Sequence, residues 1–409
     1  MLPQSYLKTK LLPPRLGRQV MPRPRLVKRM QSYLDGPATI VCANAGCGKT
    51  TLVADFVPSC SVPFVWYQID PSDGDVGVLF AYLVYGLRRL YPEFGQAVLG
   101  FIQETEDLSS QADQLADVFI NEVSEQIERK TILVMDDFHH ADKSTAIGMA
   151  VDRVVQYLPD VLHMILISRT MPNLSVSRLR SKGLVGIIDR QDLLFVPEEV
   201  SKLFVETFER TLPPELITQF YETTEGWITG LQLIQQSIER VGDHDPVLLG
   251  KAEAVSALQQ SEIDIFDYFA EEVLQSESPE TRMTLARLSM FERISPEVCE
   301  AIFGAADYRG NLRALARRNV FVTHTYASGS DEEYRMHPLF RSFLRRWLSN
   351  EMGADEIKHL HRECADYFAR VAQWDLAVHH YSEASATDAL ADILAARGAE
   401  LVRLGVSKS

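Results

Sequence analysis

The sequence predicts an α/β domain with a parallel sheet covered by helices on both faces, followed by an all-helical domain, a winged-helix domain and the start of an α-helical solenoid. Three observations carry this prediction. Apolar runs of strand length alternate with helical segments between residues 35 and 190. From Pro197 the strand-like runs stop, and apolar residues recur three and four positions apart. Near residues 320–337, two short strand-like runs follow several short helices.

The bulk composition limits the classes of function. A chain of 409 residues is long enough for about two to four domains. Its net charge of −15 argues against a chain that coats nucleic acid as a whole. No apolar run approaches the ~18 residues of a membrane span. The five scattered cysteines lack metal-ligand spacing, so we expect a reduced, cytoplasmic protein with no membrane partner.

Residues 1–34 form a basic arm without any acidic residue. Its prolines exclude helix over most of its length, although Arg25–Met30 starts one. Three interpretations stay open: contact with nucleic acid, packing beside the loop described next to help hold a polyanion, or a solvated arm. The arm's cations are Lys8, Lys10, Arg15, Arg18, Arg23, Arg25, Lys28 and Arg29.

The phosphate loop, residues 43–51, joins a strand at Thr39–Cys42 to a helix that runs through Leu52–Phe56. Its pattern, a small residue and then Gly-Lys-Thr at fixed spacing, lets backbone N–H groups curl around phosphate oxygens at a helix N-terminus. Lys49 would bridge the β- and γ-phosphates, and the Thr50 hydroxyl would bind Mg²⁺. A glycine-rich turn without a ligand is the alternative. The expected nucleotide contacts are Ala43, Ala45, Gly46, Cys47, Gly48, Lys49, Thr50 and Thr51.

A second strand, Phe64–Ile69, precedes three aspartates and a long helix at Val76–Leu90. We expect the aspartates to cap this helix, because carboxylates accept hydrogen bonds from free N–H groups at a helix start. A metal site is the alternative. These aspartates are Asp70, Asp73 and Asp75.

The run Thr131–Asp137 is a buried strand that ends in two carboxylates. At this distance from a phosphate loop, Asp136 would hold Mg²⁺ through water, and Asp137 would orient or deprotonate the attacking water. The following His139 and His140 have no third ligand spaced for zinc, so we expect a loop there.

The next buried strand, Val161–Ser168, ends beside Arg169 at the edge where parallel sheets bind ligands. Arg169 is a candidate sensor of the γ-phosphate, and an ordinary surface arginine is the alternative. Leu184–Asp189 supplies a fifth strand, which completes an α/β domain at residues 35–190.

Residues 191–250 are predicted to form a small helical domain. Its segment Thr224–Gly230 places glycines around Trp227 at a helix start, which fits either a lid over the nucleotide base or a tightly packed helix pair. Residues 242–258 resemble a linker. The predicted helices are Glu198–Arg210, Pro214–Thr223 and Trp227–Val241.

Residues 259–350 are predicted to form a winged-helix domain, in which short helices precede a hairpin with a polar turn at 327–332. Its predicted third helix carries Glu297 and Glu300 and no basic residue, which argues against base reading by that helix. Residues 351–409 read as two helical hairpins that open a TPR-like solenoid, so we expect the chain to be part of a longer protein.

In its ordered set of motifs, the chain resembles the signal-transduction ATPases with numerous domains (STAND), which are P-loop NTPases, and among them the MalT-like large LuxR-type activators. The motifs that carry the resemblance are Leu7–Leu11, Arg23–Leu26, Ala45–Leu52, Trp66–Asp70, Met135–His139, Ser168–Arg169, Glu225–Leu233 and His337–Phe340.

The resemblance implies a switch. ADP would be buried in a closed monomer, with His337 on its β-phosphate, Arg169 as γ-phosphate sensor and Arg23 among the nucleotide contacts. ATP in place of ADP, with a small-molecule or protein inducer on the C-terminal solenoid, would open the protein and let it self-associate, and slow ATP hydrolysis would reset it. DNA would be bound through a C-terminal helix-turn-helix absent from this chain.

Two other classes of function remain open. One is a turnover ATPase or remodeller of the AAA+ kind, which calls for a catalytic glutamate and an arginine finger. The sequence offers Asp137 and no clear finger. The other is a non-hydrolysing scaffold that keeps ADP as a structural cofactor.

Overall fold

The computed structural model describes residues 6–17, 20–241, 251–304, 307–318, 320–326, 332–393 and 395. The chain divides into two compact units, Met1–Ser261 and Glu262–Ser409. Three predicted features lie wholly or partly outside the described residues: the linker over residues 242–250, the hairpin turn over 327–331 and the second helical hairpin beyond 395.

A five-stranded parallel sheet forms the centre of the first unit, in the order β2-β3-β4-β1-β5. Every residue of the three central strands is buried, because helices cover both faces of the sheet. The predicted α/β fold is therefore confirmed. The strands are β1 (Ala38–Cys42), β2 (Phe64–Gln68), β3 (Thr131–Asp136), β4 (Leu162–Ser168) and β5 (Val185–Ile188).

Eight α-helices belong to this α/β part of the chain, and those before residue 130 lie in segments predicted to be helical. They are α1 (Pro24–Tyr33), α2 (Lys49–Ser59), α3 (Val76–Leu87), α4 (Gln96–Glu104), α5 (Ala112–Gln126), α6 (Thr145–Tyr157), α7 (Val176–Ser181) and α8 (Arg190–Leu193).

The three aspartates before α3 do not share one role. Asp75 caps α3 by accepting from the Val78 N–H, and Asp70 caps a short 3₁₀ turn at Pro71–Asp73. The prediction that Asp70 and Asp73 cap the long helix is wrong, because Asp70 caps the separate 3₁₀ turn and Asp73 has another partner. The buried carboxylate of Asp73 accepts two hydrogen bonds from Lys10 Nζ, at 2.7 and 2.8 Å, because burial of a carboxylate requires a cationic partner.

A helical domain with its own apolar core follows the sheet. It contains α9 (Pro197–Lys202), which continues as a π-helical turn at Leu203–Thr207, α10 (Pro214–Thr224) and α11 (Ile228–Val241). The linker prediction is wrong for residues 251–258, because helix α12 spans Lys251–Glu272.

The second unit contains the predicted order of short helices, hairpin and long helices. Strands β6 and β7 pair antiparallel, from Val322 opposite Met336 to Tyr326 opposite Glu332. Phe269, Phe321, Phe340 and Phe343 pack ring against ring in its core. The elements are α13 (Pro279–Leu288), α14 (Pro296–Phe303), α15 (Tyr308–Arg317), β6 (Val322–Tyr326), β7 (Glu332–Met336), α16 (Pro338–Glu351), α17 (Ala354–Arg370) and α18 (Trp374–Glu383).

Within the described ranges, no helix is both long and apolar enough to cross a bilayer.

Candidate functional site

The phosphate loop lies between β1 and α2, at the carboxyl edge of the sheet. Gly46 and Gly48 adopt φ values of +69° and +77°, a left-handed region that glycine enters without a steric cost. Gly48 is the N-cap of α2, so the loop delivers the chain directly into the helix that starts at Lys49. A short loop with left-handed residues at a helix N-terminus is the backbone pattern in which N–H groups form an anion cradle.

Lys49 is buried, and its Nζ donates to the main-chain oxygen of Asn44 at 2.7 Å. Burial lowers the pKa of Lys49, and the positive charge of Arg169 lowers it further. A buried ammonium whose hydrogen bond goes to an uncharged carbonyl oxygen is a strong partner for an anion that enters the loop. Asn44 is also only 3% exposed, and its side-chain amide has no hydrogen-bond partner in the described part of the chain.

Asp136 ends β3 and accepts a hydrogen bond from the Thr50 hydroxyl at 3.1 Å. Burial, and then the charge of Asp137, raise the pKa of Asp136 to about 7. A raised pKa marks a buried carboxylate whose negative charge lacks a compensating cation. Carboxylate and hydroxyl oxygens are hard ligands of the kind Mg²⁺ takes, so Thr50 and Asp136 fit a magnesium site.

Asp137 follows in a left-handed conformation, with φ +54°, and its N–H donates to Asp136 Oδ1 at 3.0 Å. Gln68 Nε2 donates to Asp137 Oδ2 at 2.6 Å, and His139 Nδ1 lies 3.8 Å from Oδ1. Burial and neighbouring cations lower the pKa of His139 to about 3, so its ring is neutral at neutral pH. The side chain of Asp137 is 32% exposed, which leaves it accessible to water.

Arg169 follows β4, which pairs with β1 so that Ser168 lies opposite Cys42. The guanidinium is partly buried, and its charge lowers the pKa values of Lys49, His139 and His140. The structure thus brings Arg169 to the same edge of the sheet as the loop and the acidic pair.

The helical domain contacts the phosphate loop directly. The Thr229 hydroxyl on α11 donates to the Gly46 main-chain oxygen at 2.9 Å, and a Cβ at Gly48 would lie 3.6 Å from the Ile228 side chain. The segment Thr224–Gly230 is also tightly packed, because a Cβ at Gly226 would overlap the carbonyl oxygen of Phe195. The tight-packing interpretation of this segment therefore agrees with its geometry, and a lid over the nucleotide base stays a prediction.

Two cavities adjoin the loop. One of about 200 Å³ lies beside Gly46–Gly48, Val20 and Gln232, and one of about 630 Å³ lies beside Thr50, Arg15 and Gln235. Gln235 is 5% exposed, and its side-chain oxygen has no hydrogen-bond partner among the described residues. The arm and the helical domain together wall this space, which adds room for a ligand larger than a phosphate group.

The arm residue predicted to contact nucleotide, Arg23, is engaged within the protein. Its guanidinium donates to Glu199, to the Leu193 and Leu194 carbonyl oxygens, and lies 4.0 Å from the centre of the Phe195 ring. Arg23 also lines the smaller cavity. A nucleotide contact by Arg23 stays a prediction.

His337 lies in the second unit, at the N-cap of α16. Its N–H donates to the Phe321 oxygen at 2.9 Å, and its ring packs edge-on against Phe321 at 5.8 Å. Its predicted contact with a nucleotide stays a prediction.

Asn44, Gln68 and Thr229 were missed as site residues by sequence reasoning. Gln68 carried a usable signal, because it is a polar residue at the carboxyl end of a buried strand. Asn44 lies inside the predicted phosphate loop and Thr229 inside the segment Thr224–Gly230. Their individual contacts could not be predicted, because they depend on a loop conformation and on a pairing between residues 183 positions apart. Among the residues described, no group of three or more His, Cys, Asp or Glu side chains could hold a metal ion by itself.

Comparison with known proteins adds the family context. Residues 270–356 match the MalT winged helix domain. The chain is 29% identical over 390 residues to the HTH-type transcriptional regulator MalT of Serratia proteamaculans, and 28% identical over 395 residues to that of Yersinia enterocolitica. Each match covers 94% of this chain and 42% of the regulator, so the chain spans about two fifths of the length of these relatives.

The Walker-type ATPase PABY2304 of Pyrococcus abyssi shares the fold. It superposes with a TM-score of 0.52 at 12% identity, over 80% of this chain and 96% of that protein. The resemblance to MalT-like regulators and the P-loop ATPase fold, both predicted from the sequence motifs, are therefore confirmed.

Proposed function

We propose that this chain is the nucleotide-dependent switch portion of a MalT-like transcriptional regulator. ADP holds the resting, closed state, ATP with an inducer opens the protein for self-association, and slow hydrolysis restores the resting state. The observation that carries the proposal is the hydrogen bond from Thr229 to the Gly46 oxygen, 2.9 Å long. Because this bond joins the phosphate loop to the helical domain, a change in the loop's occupant alters the restraint on that domain.

The residues at the sheet edge divide the chemistry among themselves. Lys49 and the loop N–H groups bind the phosphate oxygens, and Thr50 and Asp136 would hold Mg²⁺, which supplies positive charge to the same oxygens. Gln68 fixes one oxygen of Asp137, at 2.6 Å, so that the carboxylate keeps one orientation toward an attacking water. Arg169, beside them, is the cation placed to distinguish a third phosphate from two.

The steady-state rate of ATP hydrolysis by the purified chain tests this proposal. A switch hydrolyses ATP at a real rate well below about one turnover per second. A rate well above that supports the turnover ATPase, and no hydrolysis supports the ADP-bound scaffold. The nucleotide that co-purifies with the protein is an independent measurement, because a switch at rest retains ADP.

Two variants separate binding from hydrolysis. Lys49→Ala weakens ATP binding about 10- to 100-fold, because a charged hydrogen bond to phosphate contributes ~1.5–3 kcal/mol. Lys143→Ala, at an exposed lysine near the site, is the matched control and leaves the affinity unchanged. Asp137→Asn keeps ATP binding and suppresses hydrolysis. Unchanged ATP affinity in Lys49→Ala contradicts the site, and normal turnover in Asp137→Asn removes Asp137 from its role.

Binding of promoter DNA, binding of an inducer and self-association are parts of our proposal that concern the whole regulator. His337 is our candidate for a latch on ADP, and His337→Ala should then release ADP faster. An unchanged release rate would exclude that role while leaving the phosphate-loop assignment intact.

A further inference from the structure

The second unit contains a cavity of about 420 Å³ at the junction of its winged-helix part and its first helical hairpin. It lies between α16, the loop after α13, the end of α17 and the start of α18. Its volume falls in the range of small-molecule sites, which is about 300–1,000 Å³. The residues that define it chemically are Phe291, Arg341, Arg345, Phe368, Asp375 and His380.

Arg341 and Arg345 lie four positions apart on one face of α16, and both line this cavity. Arg341 Nε donates to the Ser289 oxygen at 3.0 Å, and Arg345 donates to the Ser289 and Met290 oxygens at 3.1 and 3.2 Å. These bonds hold both guanidinium groups at the carboxyl end of α13. Among the described residues, no carboxylate forms an ion pair with Arg341 or Arg345.

Both arginines are partly buried. Burial, and then the neighbouring Arg345, lower the pKa of Arg341, and the charge of Glu292 opposes this without cancelling it. The cavity also contains Arg293, which lies 3.7 Å from Glu333 and is 78% exposed. Glu292 and Asp375 are the carboxylates on the cavity wall, and among the described residues neither forms an ion pair with Arg341 or Arg345.

Aromatic rings form the remaining wall. Phe291, Phe368 and His380 are buried and pack together, with Phe368 and His380 nearly parallel at 5.6 Å. His380 Nδ1 lies 3.0 Å from His361 Nδ1, which requires one ring to donate and the other to accept. Burial lowers both pKa values, to about 3 and about 4, so neither ring adds a positive charge at neutral pH.

We propose that this cavity binds a small ligand that carries a phosphate or carboxylate group on a flat apolar body. The anionic group pairs with the guanidinium N–H donors of Arg341 and Arg345 that make no hydrogen bond to the described residues. The apolar body packs on Phe291 and Phe368. This ligand site lies wholly within the second unit and is separate from the phosphate loop.

Phenyl phosphate and benzoate are suitable probes, because each joins one ring to one anionic group and they distinguish phosphate from carboxylate. The measurement is calorimetric titration of the whole chain with excess ADP present, with phenol as the uncharged control. We expect saturable binding of at least one anion and none of phenol. Absence of saturable binding by both anions overturns the proposal.

Substitutions then locate the bound probe. Arg341→Gln should weaken its binding about tenfold or more, because a charge-assisted hydrogen bond is lost. Arg346→Gln, on the same helix but outside the cavity, is the matched control and should leave it unchanged. Equal affinities in the wild type and Arg341→Gln, or equal losses in both variants, overturn the proposal.

A second variant tests the same position in case Arg341→Gln does not fold. Asp375 is exposed on the cavity wall, so Asp375→Asn should fold normally and remove a negative charge that repels the ligand. We expect the probe to bind about two- to fivefold more tightly. An unchanged affinity contradicts the proposed position of the anionic group. Because the nucleotide loop is saturated with ADP, this result is independent of the switch proposal.

Discussion

His163 is a buried polar residue in the middle strand of the sheet, and both of its ring nitrogens have partners. Nδ1 lies 2.6 Å from the Gly36 carbonyl oxygen, which can only accept, so Nδ1 carries the proton. Nε2 therefore accepts from the Thr39 hydroxyl, 3.0 Å away. The ring is neutral and fixed in one tautomer, because burial lowers its pKa to about 4.

This lowered pKa predicts an acid sensitivity of the sheet. Between pH 6.5 and about 4 the unfolded chain binds a proton at this position that the folded chain does not. The contribution of the neutral His163 to the free energy of unfolding is therefore fully present above pH 6.5. It falls as the pH approaches 4, by roughly 3 kcal/mol at most. Hydrogen-exchange protection of residues 38–42 and 162–168, followed between pH 4.5 and 7.5, measures this loss of stability.

The His163→Gln variant isolates the histidine, since an amide still donates to Gly36 but does not titrate. We expect this variant to lose less protection than the wild type as the pH falls. His359→Gln, at an exposed histidine, is the control and should keep the wild-type slope. Identical slopes in all three proteins would mean that His163 does not titrate on unfolding.

At the scale of elements, the basic arm joins the two parts of the first unit. Leu11 is buried in the core of the α/β domain, and Met21 is buried in the core of the helical domain. Lys10 pairs with Asp70 and Asp73, and Arg23 pairs with Glu199. In its described residues the arm therefore packs against its own chain, around Lys10 and around Arg23. That it helps to hold a polyanion beside the loop stays a prediction.

Glu199 is the anchor of the arm on the helical domain, because Arg23 and Arg25 both donate to its carboxylate. Glu199→Gln should loosen residues 20–25, because it leaves the largely buried Arg23 without its counter-ion. Removal of one partner from a buried ion pair lowers the free energy of unfolding by about 3–5 kcal/mol. Faster hydrogen exchange over residues 20–25 and over α1 in this variant would confirm that Glu199 anchors the arm. The neighbouring Glu198→Gln, at an exposed side chain, should exchange like the wild type.

The turn between α10 and α11 depends on one glycine. Gly226 has φ +77°, and a Cβ there would overlap main-chain atoms of Phe195. Gly226→Ala should destabilise the helical domain by more than the ~1–2 kcal/mol of a left-handed alanine alone. Gly183→Ala is the matched control, because Gly183 has φ +71° with open space around its Cβ position. Equal losses of unfolding free energy for the two variants, measured by urea unfolding, would refute the close contact between Gly226 and Phe195.

At the scale of the molecule, the switch proposal requires that the helical domain and the phosphate loop move together. A hydrogen bond that joins them in the first unit is the Thr229 hydroxyl on the Gly46 oxygen. Thr229→Val keeps the shape and removes one hydrogen bond, which contributes about 1 kcal/mol. We expect ADP to dissociate about fivefold faster from this variant, measured by stopped-flow with a fluorescent ADP.

Thr223→Val provides the comparison, because the Thr223 hydroxyl bonds only to Gln219 within α10. Equal ADP release from the wild type and Thr229→Val would show that the helical domain does not restrain the loop, and the switch would then need another connection.

The sequence by itself determined the five strands of the sheet in chain order, the phosphate loop with Lys49 and Thr50, and the acidic pair Asp136 and Asp137. These follow from periodicity and from spacing along a short segment, which the chain carries locally. Burial of every residue in β1, β3 and β4 agrees with their continuous apolar runs.

Only the tertiary structure decided which distant side chains meet. Lys10 pairs with Asp73 across 63 positions and Thr229 reaches Gly46 across 183, and neither pairing leaves a local pattern. Asp73 could have capped α3, but the buried ammonium of Lys10 is the stronger partner for a carboxylate removed from water. The arginine-lined cavity of the second unit likewise exists only because separate helices pack together.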